Sequence, residues 1–201
     1  MKIKNLLFDL GGVIATLHED ITASILSSCG MTTEWWAQNG DAMILKLNRG
    51  EINGEEFCAE LAKACNPGTS LDTIRIAYES MLKVPVANST YIKELSEKYN
   101  LYLLSDISDI HWKAFKEMNF ANGVDIEACF TKLYLSYQLG MTKPNPAIYE
   151  HVISDSGIVP AETIYIDDNA GNIAVGQNAG LQTILAEKNI ADSYKNLLNK
   201  L

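Results

Sequence analysis

Asp9 closes the apolar run Leu6-Leu7-Phe8 and is followed, one residue on, by Gly11-Gly12. Three later apolar runs also lead into polar residues. Ser105 and Asp106 follow Leu103-Leu104, Lys143 stands in Gly140-Met141-Thr142-Lys143-Pro144, and Asp167-Asp168-Asn169 follows Ile166. These side chains suit chemistry at a phosphate. A carboxylate such as Asp9 cannot approach a phosphate dianion unless the charge between them is neutralised. A Mg²⁺ ion held by Asp9, Asp168 and a backbone carbonyl would neutralise it. Lys143 adds positive charge beside nucleophile and transferring group. Ser105 can donate to a phosphate oxygen, helped by amides at the start of the next helix. Attack by Asp9 on phosphorus would give an aspartyl-phosphate. Each feature alone has a plainer use as a turn residue, an N-cap or a helix entry. Their conjunction, in this order, points to phosphoryl transfer.

Positioning them requires strands that end at one edge. Five short apolar runs, 5–10, 101–105, 132–136, 163–167 and 182–186, lack clean alternation, as strands covered on both faces do. Helical spacing lies between most of them, at 90–99, 109–118, 146–154 and 172–179. Strand and helix in alternation predict an α/β fold with a Rossmann-like, doubly wound parallel sheet. Residues 16–84 break the pattern. They show no convincing strand and four amphipathic stretches, 20–28, 33–47, 54–65 and 71–82, separated at Cys29-Gly30, Arg49-Gly50 and Asn66-Pro67-Gly68. The expected organisation is a core of residues 1–15 and 85–201 with a helical insert, 16–84, over the carboxyl ends of the strands.

The 201 residues are 47% hydrophobic with a formal net charge of -9. No basic patch offsets that charge, which argues against nucleic acid or an anionic membrane as partner. The N-terminal apolar run is too short for a signal peptide or a membrane span. Four cysteines without C-x-x-C spacing read as free thiols in a reducing compartment, so the expectation is a cytoplasmic protein.

Taken together, the motifs resemble those of the haloacid dehalogenase (HAD) superfamily along essentially the whole chain. Phe8-Asp9-Leu10-Gly11-Gly12-Val13 is similar to its first motif, Leu103-Leu104-Ser105-Asp106 to its second, Lys143-Pro144 to its third, and Ile166-Asp167-Asp168 through Asn172-Ile173 to its fourth. The insert matches the superfamily's helical cap in position. The resemblance implies that Asp9 is the nucleophile and the Gly11 carbonyl a metal ligand. It also implies that Asp168 binds the metal directly, with Asp167 direct or acting through water. Arg49-Gly50-Glu51-Ile52 and Tyr134-Leu135-Ser136 through Met141 extend the likeness to bacterial sugar-phosphate phosphatases, including those acting on α-glucose 1-phosphate. The implied activity is Mg²⁺-dependent hydrolysis of a small phosphorylated metabolite.

Two positions depart from that pattern. Most phosphatases of the superfamily carry a second Asp two residues after the nucleophile, as acid and then base, where this chain has Gly11. The missing help is worth ~10²–10⁴-fold in rate. A good leaving group such as an anomeric hydroxyl, a substitute such as His18, or loss of turnover with binding retained would each accommodate the change. Halide departure needs no proton, but paired Asp167-Asp168 suits a metal that dehalogenation does not require. The second departure is Asp106, where Asn is usual. It either caps the helix entering at Ser108 or Asp109 or stands beside the phosphate site. His111 can contact substrate or serve in packing. Arg49 is the candidate specificity residue of the insert. Trp35 and Trp36 point about 100° apart on a helix, so at most one can face a ligand.

Overall fold

The computed structural model describes residues 2–186. The expected core residues 187–201 lie outside that range. Among the described residues there are seven strands: β1 (Asn5–Phe8), β2 (Thr16–Leu17), β3 (Leu82–Lys83), β4 (Asn100–Ser105), β5 (Lys132–Leu135), β6 (Thr163–Asp167) and β7 (Gln182–Leu185). The helices are α1 (Glu19–Ser28), α2 (Thr33–Asn48), α3 (Gly54–Ala62), α4 (Leu71–Glu79), α5 (Val86–Ser96), α6 (Asp109–Ala121), α7 (Ile126–Cys129), α8 (Ser136–Leu139), α9 (Pro146–Ser156) and α10 (Ala170–Asn178). A 3-10 turn, Pro160–Glu162, leads into β6.

Five strands form one parallel sheet in the order β5-β4-β1-β6-β7. Successive side chains on a strand point to opposite faces. Leu6 and Phe8 pack with Leu103 and Ile166 against Ile92 of α5 and Phe115 of α6. Leu7 packs on the other face with Leu104 and Tyr165, against Ile148 of α9 and Ile173 of α10. Burial on both faces explains the continuous apolar runs. From β1 the chain winds to β4 and β5 on one side, then returns to β6 and β7 on the other. The direction of winding reverses between β1 and β6, and a crevice opens there beyond the carboxyl ends of the strands. Phe8 is in register with both Leu103 and Ile166, so Asp9 and Asp167 come next along adjacent strands.

Several boundaries differ from the sequence expectation. β1 stops at Phe8, not residue 10, because Val13, Ile14 and Ala15 donate their N–H groups to the Leu10 carbonyl and close a tight loop. Ser136 belongs to α8 rather than to β5. α5 begins at Val86, where Pro85 at the N-cap presets the entry. Residues 16–84 do contain strand: β2 and β3 form an antiparallel ribbon pairing Thr16 with Lys83 and Leu17 with Leu82. Two residues are too few for alternation to register in a sequence. Between the ribbon strands, α1–α4 share an apolar cluster that includes Leu26, Phe57, Leu61, Ile74 and Tyr78, with Ile110 of α6 joining it. Among the described residues no helix is long and apolar enough to cross a membrane.

Candidate active site

Asp9 is fixed at the end of β1 by its own N–H, which donates to the Ile166 carbonyl at 2.9 Å. Its Oδ1 accepts the Leu10 N–H at 2.7 Å and lies 2.8 Å from Lys143 Nζ. The same ammonium donates to Asp167 Oδ2 at 2.8 Å, and its side chain is 2% exposed. Burial pushes the Asp9 carboxyl up to about 7, against the pull of Lys143 and with the repulsion of Asp167. Burial alone would lower the Lys143 ammonium. Asp9, Asp167 and Asp106 together outweigh it and hold Lys143 above the ordinary lysine range. Lys143 is therefore held as the ammonium, while burial first, and Asp167 after it, destabilise the charged form of Asp9.

Asp167 is fully buried, and donors surround it. Oδ1 accepts the Asn169 N–H at 2.7 Å and Asn172 Nδ2 at 3.1 Å, while Oδ2 accepts Lys143, the Tyr165 hydroxyl and Asn172 Nδ2. Asp168, next in sequence, is exposed. Burial, and then Asp167, raise its carboxyl. Asp9, Asp167 and Asp168 each present an oxygen within 4.8 Å of the others. Gly12 makes this approach possible. Its φ is 72°, and a Cβ there would stand 2.0 Å from Asp168 Oδ2. The Gly11 carbonyl accepts no hydrogen bond among the described residues, whereas the carbonyls of Leu10 and, at the far end of the loop, Ala15 do.

Ser105, 2% exposed at the end of β4, opens onto a cavity of about 610 Å³ between the sheet edge and helices α1 and α2. Gly11, Asp106 and His111 also line it. Asp106 does not cap α6. Ser108 is the N-cap, accepting the His111 N–H, and Asp106 Oδ1 instead accepts the Lys143 N–H at 3.0 Å. That bond ties the lysine's backbone to the loop after β4. Burial raises the Asp106 carboxyl, while Lys143 and, more weakly, Arg49 lower it. Arg49 thus stands at the α2 C-cap within electrostatic reach of the site, but it does not line the cavity.

His111 is buried and stacked on Tyr78, with ring centroids 4.2 Å apart and Nε2 2.9 Å from the Tyr78 carbonyl. It joins α6 to α4 while facing the cavity, so it is both packing and lining. Burial lowers its pKa. His18 precedes α1, with Nε2 3.2 Å from Thr16 Oγ1, and does not line the cavity. Trp36 lines it and Trp35 does not, as the angle between neighbouring helical positions requires.

Residues 91–186 match the model of the haloacid dehalogenase-like hydrolase family. The D-ribitol-5-phosphate phosphatase of Bacteroides thetaiotaomicron is 31% identical over 191 residues, covering 92% of each chain. This chain belongs to the haloacid dehalogenase-like hydrolase family. A HAD family enzyme from B. thetaiotaomicron, solved in complex with magnesium and inorganic phosphate, superposes with a TM-score of 0.82 at 34% identity, over 90% of this chain and 93% of that one. A predicted HAD-like family hydrolase from Porphyromonas gingivalis gives 0.86 at 28% identity over 100% of both. The family fold accounts for the bunching of Asp9, Lys143 and Asp167 at one sheet edge.

Sequence reasoning missed Tyr165 in this family member, because it reads as strand core. A signal was present: Tyr165 and Asp167 are two residues apart on β6 and therefore share a face. Asn172 was read only as part of a motif. Its side chain in the first turn of α10 bonds both Asp167 oxygens.

Proposed function

We propose that the protein is a Mg²⁺-dependent phosphomonoesterase working through an aspartyl-phosphate on Asp9. The observation that carries this reading is the fixed triangle of Asp9, Lys143 and Asp167 beside exposed Asp168. Three carboxylates converge and, among the described residues, one ammonium pairs with them, so the cluster fits a divalent cation. Asp9, Asp168 and the Gly11 carbonyl would hold it, and the donors filling Asp167 favour its acting through water. Bound Mg²⁺ would screen the repulsion between Asp9 and the phosphate dianion. Lys143 keeps one Asp9 oxygen in place, leaving Oδ2 to attack phosphorus. Ser105 donates to a phosphate oxygen, and Asp106 positions the Lys143 loop. Residues 16–84 act as a cap on a core of 1–15 and 85–201, excluding water when substrate binds.

The leaving alcohol receives no proton from a side chain at Gly11, and His18 is not itself a lining residue, although Leu17 and Glu19 on either side of it are. That favours esters of relatively acidic hydroxyls, such as sugar phosphates esterified at the anomeric position. The relative's name, D-ribitol-5-phosphate phosphatase, supports a small sugar or polyol phosphate as substrate, though ribitol 5-phosphate is an ester of an ordinary primary alcohol and gives no support to the anomeric preference. The working compartment we propose is the cytoplasm. Hydrolysis of an aryl phosphate, with and without Mg²⁺ and with Asp9→Asn as control, tests the reading. Metal-dependent release of phosphate lost in Asp9→Asn supports it. A protein that binds phosphate without turnover would instead be a non-catalytic member of the family.

A further inference from the structure

The chemistry of the cavity walls bears on which alcohol the site accepts. Along α2, Thr33, Ala37, Asp41, Ile44 and Asn48 recur at helical spacing, so one face of the helix forms a wall. Glu19, Asp20, Ala23 and Leu26 of α1 form another. Among the described residues four carboxylates line the space, those of Glu19, Asp20, Asp41 and Asp106, and no lysine or arginine does. Glu19 and Asp20 have a local reason to be there, in the first turn of α1, where the helix dipole favours acids. Asp41 has none. It sits mid-helix, exposed, and pairs with no cation among the described residues. Much of the remaining surface is hydrocarbon, from Leu17, Leu26, Met31, Trp36, Ile44 and Met81.

We propose that this cavity selects phosphate monoesters of uncharged hydroxylated alcohols and rejects those whose alcohol carries a carboxylate or a second phosphate. The inference rests on the phosphomonoesterase reading and adds the substrate class. The reacting phosphate meets the Lys143 end of the site, where positive charge is fixed. A second anion would meet walls that, among the described residues, carry four carboxylates and hydrocarbon and no lysine or arginine. Arg49 stands outside the lining at the α2 C-cap, and Lys143 is turned to Asp9 and Asp167. Juxtaposed like charges cost several kcal/mol. Rejection by an unpaired charge is specificity built from repulsion. Hydroxyl groups, by contrast, donate to Asp41 and Asp20, and Trp36 lends apolar ring surface to the carbon skeleton.

The test compares substrates matched in skeleton: glycerol phosphate with phosphoglycerate, and a hexose monophosphate with its bisphosphate, with an aryl phosphate as reference. With Mg²⁺, kcat/KM is expected to favour the uncharged member of each pair by about 10²-fold. Asp41→Asn should narrow that ratio and Asp41→Lys narrow it further, and added salt should narrow it in the wild type. Equal kcat/KM within the pairs overturns the inference. So does a ratio unmoved in Asp41→Asn and Asp41→Lys while either variant still hydrolyses the aryl phosphate. If the wild type turns over no substrate, the aryl phosphate included, the phosphomonoesterase reading fails and takes this inference with it.

Discussion

Lys143 Nζ stands 2.8 Å from Asp9 Oδ1, and it stays there because Asp167 holds it at 2.8 Å from the other side. One ammonium thus joins the ends of β1 and β6 across the point where the winding of the sheet reverses. Removing it leaves two buried carboxylates without counter-charge.

Lys143→Met is therefore expected to lower both stability and rate. Breaking a buried pair from one side costs about 3–5 kcal/mol, and losing a fixed charge at a phosphoryl site costs about 10²–10³ in kcat. Adding Asp167→Asn should recover part of the stability and little of the rate. Denaturant unfolding and steady-state kinetics on the single and double variants separate the two effects. A Lys143→Met protein with unchanged kcat contradicts the role given to this lysine.

Asp9, Ser105 and Asp167 were legible in the sequence because doubly covered strands are apolar, so a polar residue at the end of one is conspicuous. Lys143 lies beyond α8 and was legible only through its place before Pro144. The partner of Asp106 was not, because the Lys143 N–H it accepts lies 37 residues away. The same limit hid the contact of His111 with the Tyr78 carbonyl and the pairing of Leu17 with Leu82. Such contacts depend on how α4 and α6 pack, which local periodicity does not encode. Fold class follows from pattern; the strand order and the network behind the strand ends follow only from packing.

Tyr165 belongs to that network. Its hydroxyl donates to Asp167 Oδ2 from within the core. Tyr165→Phe keeps the ring and removes the donor. Hydrogen bonds to charged groups are worth about 1.5–3 kcal/mol, so a loss of that order in stability is expected. Lys143 should then be held less firmly, and kcat should fall while KM changes little. A variant with wild-type stability and kcat would show that Asn172 and Asn169 suffice to hold Asp167.

The pH dependence of stability has a definite sign. Burial holds the folded-state pKa of Asp9 at about 7, above the ordinary aspartate value of 3.8, so the folded protein binds this proton more tightly than the unfolded chain. The stability it contributes is present below the unfolded value and is lost as pH rises towards about 7. Asp106 and Asp168 shift in the same direction and His111 acts oppositely. The Mg²⁺-induced rise in Tm isolates the carboxylates. It is expected to be larger at pH 8 than at pH 5, since the ion competes with their protons. An equal rise at both pH values contradicts the three-carboxylate site.

Adjacent glycines should respond in opposite ways. At Gly12 a Cβ would strike Asp168 Oδ2, and the positive φ strains any L side chain. Gly12→Ala should therefore weaken Mg²⁺ binding, as read by titration. At Gly11 the nearest atom to a Cβ is Leu17 Cδ1 at 3.3 Å, on a half-exposed side chain that can move. Gly11→Asp should fold and supply a proton donor, raising kcat/KM for alkyl phosphates relative to aryl phosphates by up to about 10². No selective gain for the poorer leaving groups would refute the view that a missing acid limits the enzyme.

The central claim is that Asp9 itself becomes phosphorylated. Acid quenching during turnover, followed by proteolysis and mass spectrometry, reads this directly. A phosphoryl group on the peptide containing Asp9 is expected, convertible by borohydride to homoserine at that position and absent when Mg²⁺ is chelated or Asp9 is replaced by Asn. A phosphoryl group on any other residue, or full turnover by Asp9→Asn, would contradict it.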